Sequence, residues 1–146
     1  MNIQFRIIDR SDLLIIIPLL YTLNEGAISK ETLKERTLEM AQQNYECLGI
    51  YDGNDLIGIC GMWFQTRHYA GKSCEIDHVI ISDSHRSLGI GGKMMDFIYD
   101  YVKTKNCNWV ELNTYVHNFP SHKFYNNQNF VAKGYHFIKD MNQSSA

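Results

Sequence analysis

Apolar and polar residues alternate through NIQFRII, residues 2–8, and predict a strand. Asp9 to Asp12 offer helix caps, and a helix is expected to follow, disturbed at Pro18. Ser29 is placed to cap a second helix, SKETLKERTLEMAQQN. Its apolar positions Leu33, Leu38 and Met40 sit amid charge, so the helix should be largely solvated. Two β-rich runs then flank Asp52-Gly53-Asn54-Asp55, a strong hairpin signal. SCEIDHVIIS reads as a third strand of this group and runs directly into a glycine-rich stretch. From Leu88, the positions Leu88, Met95, Ile98 and Val102 keep helical spacing, with Gly91 on the same face. NWVELNTYV reads as a strand, HNFPSHKFYNNQ has helical spacing, and NFVAKGYHFIKDM is expected to close the chain with one or two strands. The order β-α-α-β-β-β-α-β-α-β-β describes an α/β fold with a mixed, mostly antiparallel central sheet flanked by helices. No repeat or linker interrupts it, and a single domain over residues 1–146 is expected. The end, NQSSA, reads as a polar tail.

Length and composition narrow the class. A chain of 146 residues, 45% hydrophobic and 21% charged, is an ordinary globular protein with room for one core. Its formal charge of −2 gives no general attraction to nucleic acid or anionic membrane. The apolar run Leu13 to Leu20 is broken by Pro18 and is too short for a bilayer span. No export signal is read at the N-terminus, and a cytoplasmic location is expected. Cys47, Cys60, Cys74 and Cys107 are widely spaced without a CxxC pair. They read as reduced, mostly packed thiols, and no metal site is expected.

The chemistry concentrates in HRSLGIGGKMM, residues 85–95. A strand, a short turn and a helix opening with glycines suit an anion. The first helical N–H groups lack intrahelical acceptors, the helix dipole favours negative charge, and glycine lets phosphate oxygens reach the backbone. A GxxxxGK[ST] loop fails at Ser87 and Met94. A dinucleotide GxGxxG fingerprint begins at Gly89 and ends badly at Met94. The pattern [R/Q]xxGxG matches at every specified position in Arg86-Ser87-Leu88-Gly89-Ile90-Gly91.

That motif resembles the pyrophosphate loop of the GNAT superfamily of coenzyme A-dependent N-acetyltransferases. EIDHVII before it resembles the family's central strand, and KMMDFIYDYV the helix that follows. Asn118, Phe124 and Tyr125 resemble its NxxxxxFY segment, and the terminal GYHF is similar to a family ending. Ser121 stands where Ala is common, and Asn129-Phe130 replaces the common Gly-Phe. The resemblance covers about residues 46 to 140 and implies the GNAT acyltransferase fold with acetyl-coenzyme A as acyl donor.

It also implies roles for individual residues. Arg86, Ser87, Leu88, Gly89, Ile90, Gly91, Gly92 and Lys93 would cradle the pyrophosphate. The backbone of Val79, Ile80 and Ile81 would pair with the pantetheine arm near a bulge and polarise the thioester carbonyl. Asn118 would contact the coenzyme, and it also suits a helix N-cap. Tyr125, seven residues later, takes the general-acid position and would protonate the leaving thiolate. Glu75, eleven residues before Arg86, leads as the base for the amine. Strand alternation puts Glu75, Asp77, Val79 and Ile81 on one side before any bulge, so Asp77 is a rival and a water relay a third option. His78 should face the other way in a structural role, and Phe124 should pack. Trp63, Phe64, His68 and Tyr69 read mainly as core and edge packing, the lesser alternative being that some of them line an acceptor pocket.

The function expected is acetyl transfer to a primary amine by direct attack in a ternary complex. The acceptor is a small molecule or a protein amine, and a homodimer remains open. The alternatives are a catalytically idle acyl-coenzyme A binding or sensor module and, less favoured by the motifs, a nucleotide-binding domain.

Overall fold

The structure is a computed structural model that describes residues 1–142. The tail NQSSA lies outside the described residues from Gln143 on. The chain divides into two compact units, Met1–Leu112 and the part from Asn113 on.

The first unit is built on five strands in spatial order of sequence: β1 (Ile3–Ile7), β2 (Tyr45–Asp52), β3 (Asp55–Arg67), β4 (Gly71–Ile81) and β5 (Trp109–Leu112). The first three pairings are antiparallel, and β4–β5 is parallel. The Asp52–Asp55 hairpin is present, with Asp52 paired to Asp55 across a two-residue turn. A 3-10 helix, Arg10–Ile16, leads into α1 (Ile17–Leu23), and α2 spans Lys30–Met40. Pro18 sits at the start of α1 instead of breaking a helix, where its missing N–H costs nothing. Ser29 caps α2 by accepting from the Thr32 N–H at 3.1 Å. α2 buries only Leu33 and Thr37, in keeping with its charged sequence.

Alternation along the strands sends side chains to two cores. On one face Tyr45, Cys47, Ile59 and Ile80 pack with Leu13, Ile16, Leu20 and Leu33 of the N-terminal helices. On the other face α3 (Ile90–Thr104) buries Ile90, Met94, Met95, Ile98 and Val102. Each such side chain contributes on the order of 1.5–3 kcal/mol by leaving water. Leu88 is not part of this stripe. It precedes the helix and is exposed, because the chain turns at Ser87 and Gly89 before the helix begins.

The second unit contains α4 (Phe119–Asn127), with Pro120 in its first turn. The strands expected in NFVAKGYHFIKDM are absent: residues 130–140 form no ladder, and Val131, Tyr135, Phe137 and Ile138 are exposed. Alternation marks a segment that can be a strand, but a strand exists only when a neighbour takes its N–H and C=O groups.

One tie links the hairpin to the segment after β4. Asp52 Oδ2 lies 3.0 Å from His85 Nε2, Asp52 Oδ1 accepts from the Asn2 N–H at 3.0 Å, and His85 Nδ1 meets the Ser82 hydroxyl at 2.8 Å. The His85 contact, with the Asn2 N–H second, holds the Asp52 carboxyl below its ordinary 3.8. A carboxyl lowered by folding adds stability above its unfolded value and loses it as pH falls through the folded one. Asp52→Asn should therefore lower the urea midpoint at neutral pH, and the difference from the wild type should shrink as pH drops below 3.8.

Candidate active site

The glycine stretch is an uncapped helix start. β4 ends at Ile81, a short 3-10 helix spans Asp83–His85, and Ser87 and Gly89 take left-handed φ values of 63° and 74°. Gly89 is the N-cap of α3 and offers no side chain to it. The first backbone bond of α3 runs from Lys93 N–H to the Gly89 carbonyl, at 3.5 Å, so the amides of Ile90, Gly91 and Gly92 precede the ladder. A Cβ built at Gly89 or Gly92 would meet nothing within 4 Å, so the backbone there is open to an approaching group. Bare amides, a helix dipole and open space suit a pyrophosphate. Arg86 is turned inward on its own loop: Nε donates to the Ile81 carbonyl at 3.3 Å, and Nη2 lies 3.1 Å from Asp83 Oδ1. Its side chain thus joins the end of β4 to the loop.

β4 is bonded on its two sides over different lengths. β3 pairs with it from Gly71 to Ile81, while β5 pairs only from Ser73 to Ile76. Among the described residues, Val79, Ile80 and Ile81 have no strand partner on the β5 side. This stretch of backbone is the one the family resemblance assigns to the pantetheine arm.

Alternation along β4 holds only as far as Asp77. The β3–β4 register shifts between Cys60 and Met62, and β4 carries the extra residue. The bulge brings His78 to the face of Glu75 and Asp77 and sends Val79 to the other. The expectation that His78 faces away is therefore corrected, as is the grouping of Val79 and Ile81 with Glu75. His78 stands over Gly61, where a Cβ would fall 2.3 Å from its Nε2. Its Nε2 lies 2.7 Å from the Tyr45 hydroxyl, and its Nδ1 lies 3.4 Å from Asp77 Oδ2. Asp77 Oδ2 also accepts from Trp63 Nε1 at 2.9 Å. His78 and then Trp63 hold the Asp77 carboxyl below its ordinary value, against the pull of burial. Burial pushes the Tyr45 phenol far above its ordinary value, so it stays an O–H donor. A position opposite glycine at an irregular strand pairing was the available signal for His78, but the register that creates it is tertiary.

Glu75 lies on this face, paired across the sheet with Trp63 and, on the β5 side, with Glu111. Its Oε1 is 3.9 Å from Arg67 Nη2, and the other arm of Arg67 is hydrogen bonded to Glu111. Glu75 lines a recess of about 570 Å³ with Gln43, Asn44, Trp63, Phe64 and Gln65. Trp63 and Phe64 of the aromatic run thus line it, whereas His68 and Tyr69 meet edge to face, as do Tyr69 and Trp109, near the start of β4.

Asn118 and Tyr125 belong to the second unit. Asn118 caps α4, its Oδ1 accepting from the Ser121 N–H at 3.3 Å. Tyr125 is half-buried between Phe124 and Phe130, with ring centroids 5.1 and 5.5 Å away. Phe124 is only half-buried as well. Among the described residues, no group of three or more His, Cys, Asp or Glu side chains could hold a metal ion.

Comparison with known proteins puts this geometry in context. Residues 16–130 match the Acetyltransferase (GNAT) family. No curated protein matches the chain. Among solved structures, the chain is similar to a ribosomal-protein-alanine N-acetyltransferase from Brucella melitensis biovar Abortus 2308. The TM-score is 0.80 at 17% identity, over 97% of this chain and 100% of that one. An aminoglycoside acetyltransferase from an uncultured soil metagenomic sample gives a TM-score of 0.79 at 15% identity, over 95% and 96% of the two chains. The aminoglycoside N-acetyltransferase AAC(6')-Iy in complex with CoA gives 0.81 at 14% identity, over 96% and 95%. At these identities the structures speak for the fold alone. With the family match spanning most of the sequence, the chain belongs to the GNAT acetyltransferase family and is an acyltransferase.

Proposed function

We propose that this protein transfers an acetyl group from acetyl-coenzyme A to a primary amine by direct attack in a ternary complex. The observation that carries this reading is the bare, glycine-opened start of α3 beside a β4 backbone that β5 has left. The amides from Ile90 to Gly92 would bind the pyrophosphate, with Ser87 and Leu88 shaping the turn and Arg86 and Lys93 adding charge nearby. The backbone of Val79 to Ile81 would orient the pantetheine arm. The bound thioester supplies an activated acetyl group and a sulfur leaving group.

A primary amine with an ordinary pKa of about 10.4 is mostly protonated at neutral pH, so it must lose a proton before it attacks. Glu75 is the favoured acceptor of that proton, directly or through water, because it lines the recess beside Trp63 and Gln65. Tyr125 would hold the proton destined for the departing sulfur, and Asn118 would contact the coenzyme while capping α4. Direct attack is supported by the thiols. Burial pushes Cys47 up to about 11 and Cys74 up to about 12, so neither is a ready nucleophile. The recess, rimmed by one carboxylate, two aromatics and amide side chains, suits an amine, borne either by a small molecule or by a protein.

Acetyl-coenzyme A should raise the melting temperature, and NAD should do markedly less. Gly89→Val should abolish the shift in a folded protein, because valine resists φ 74° and would occupy the open space over the amides. A shift without thiol release across a broad amine screen would identify an idle binding module.

Glu75→Gln should lower turnover more at neutral than at alkaline pH, where free amine is already present. Asp77→Asn should keep a near-normal pH profile, because the amide oxygen can still accept from Trp63 and face His78. A crippled Asp77→Asn beside a healthy Glu75→Gln would transfer the role to Asp77.

Tyr125→Phe keeps the ring between Phe124 and Phe130 and removes only the hydroxyl. Acetyl-coenzyme A affinity should hold, while turnover falls by roughly ten- to a thousandfold, the scale of lost acid catalysis. Full turnover where chemistry limits the rate would leave water as the proton source.

A further inference from the structure

The β4 bulge is gripped by side chains from three strands. His78 comes from the bulge itself, Tyr45 from β2, and Trp63 from β3, with Asp77 beside His78. Asp77 Oδ2 lies 3.4 Å from Nδ1 and, as a carboxylate, can only accept, which places a proton on Nδ1. In the Nδ1–H tautomer Nε2 accepts, and the buried Tyr45 O–H is the donor 2.7 Å away. Tyr45 is fully buried and packs on Trp63 with ring centroids 5.0 Å apart, so it cannot follow a moving imidazole. Gly61 supplies the floor: any β-carbon there would fall 2.3 to 2.9 Å from atoms of the ring, well inside van der Waals contact. Two residues of β4 thus oppose one glycine of β3, and the ring of the second fills the space that glycine leaves.

The alternative to this arrangement is a regular ladder. Straightening the bulge would slip β4 by one residue and exchange the faces of Val79 and Ile80. Ile80 packs into the core with Ile59, which fixes the register beyond the bulge. That packing does not set the dihedral angles at Asp77 and His78. The side-chain grip does, and it lies just past Ile76, where β5 stops pairing.

We propose that His78 is a positioning residue: locked by Tyr45, Asp77 and Gly61, it sets the backbone of residues 77–80 at the angle that meets the acetyl end of the donor. This rests on the reading that acetyl-coenzyme A lies along β4. It assigns His78 no proton transfer. His78→Ala removes the ring, and Gly61→Ala evicts it. Tyr45→Phe keeps the packing and deletes the O–H that holds Nε2.

The test has one arm without ligand and one with it. In the free protein, amide hydrogen exchange at residues 77–80 should speed up roughly tenfold in His78→Ala and Gly61→Ala, and less in Tyr45→Phe, while β1 and the β2 amides paired with it stay protected. The double variant His78→Ala with Gly61→Ala should be no faster than Gly61→Ala alone, because both changes act through one ring. Unchanged exchange at these amides, a uniform rise across the sheet, or additive effects would overturn the proposal. In the second arm, calorimetry compares acetyl-coenzyme A with coenzyme A. The affinity for coenzyme A should hold in the variants, while the preference for the acetylated form falls by roughly five- to tenfold, the loss of one hydrogen bond. A preserved preference would also overturn it. Failure of the wild type to bind either compound would instead remove the donor reading, and the exchange arm would still decide whether His78 holds the bulge.

Discussion

A strand inside a sheet spends its backbone hydrogen bonds on two neighbours, and β4 does so only from Ser73 to Ile76. Beyond Ile76 it keeps β3 and loses β5. Backbone N–H and C=O groups want partners, and among the described residues the length of β4 that β5 abandons has no strand to supply them on that side. The bulge, the loop and the glycine-opened helix follow from that point in the sheet. The bulge turns β4 as the pairing ends, and α3 begins a few residues further on.

The loop between β4 and α3 is tied through two adjacent residues, His85 and Arg86. Arg86 reaches back to the Ile81 carbonyl and to Asp83, and His85 reaches Asp52 at the β2–β3 turn. A short loop with two left-handed residues gains from such ties, because the entropy of ordering it is met during folding and not again on binding. The same contacts explain why Arg86, the basic residue of the motif, is engaged by its own loop while the amides of α3 are left open.

Across the sheet from α3, charge is arranged by specific pairs. Arg67 bridges Glu75 and Glu111 on neighbouring strands, and Trp63 and His78 share Asp77. Two carboxylates two residues apart on one strand therefore have different environments. Asp77 accepts from Trp63 and faces His78 while staying exposed, and Glu75 faces Arg67 and lines a recess with Trp63 and Gln65. Buried thiols complete the contrast: Cys47, Cys60 and Cys74 fill core space between strands, and burial holds them protonated.

Much of this was legible in the residues alone. The hairpin at Asp52 to Asp55, the Ser29 cap, the strand before the glycines and the loop from Arg86 to Gly91 depend on local chemistry: turn residues, a cap hydroxyl, period-two alternation and glycine's access to left-handed φ. Those properties act within a few residues, so a sequence displays them. Three features were decided only by tertiary structure. The bulge that turns His78 onto the face of Glu75 depends on how β3 and β4 register, and Gly61, seventeen positions earlier, makes the room. The point where β5 leaves β4 depends on where two distant segments stop sharing hydrogen bonds. The segment 130–140, whose alternation reads as strand, has no ladder, because a strand is a property of a pair and one sequence run specifies only half of it.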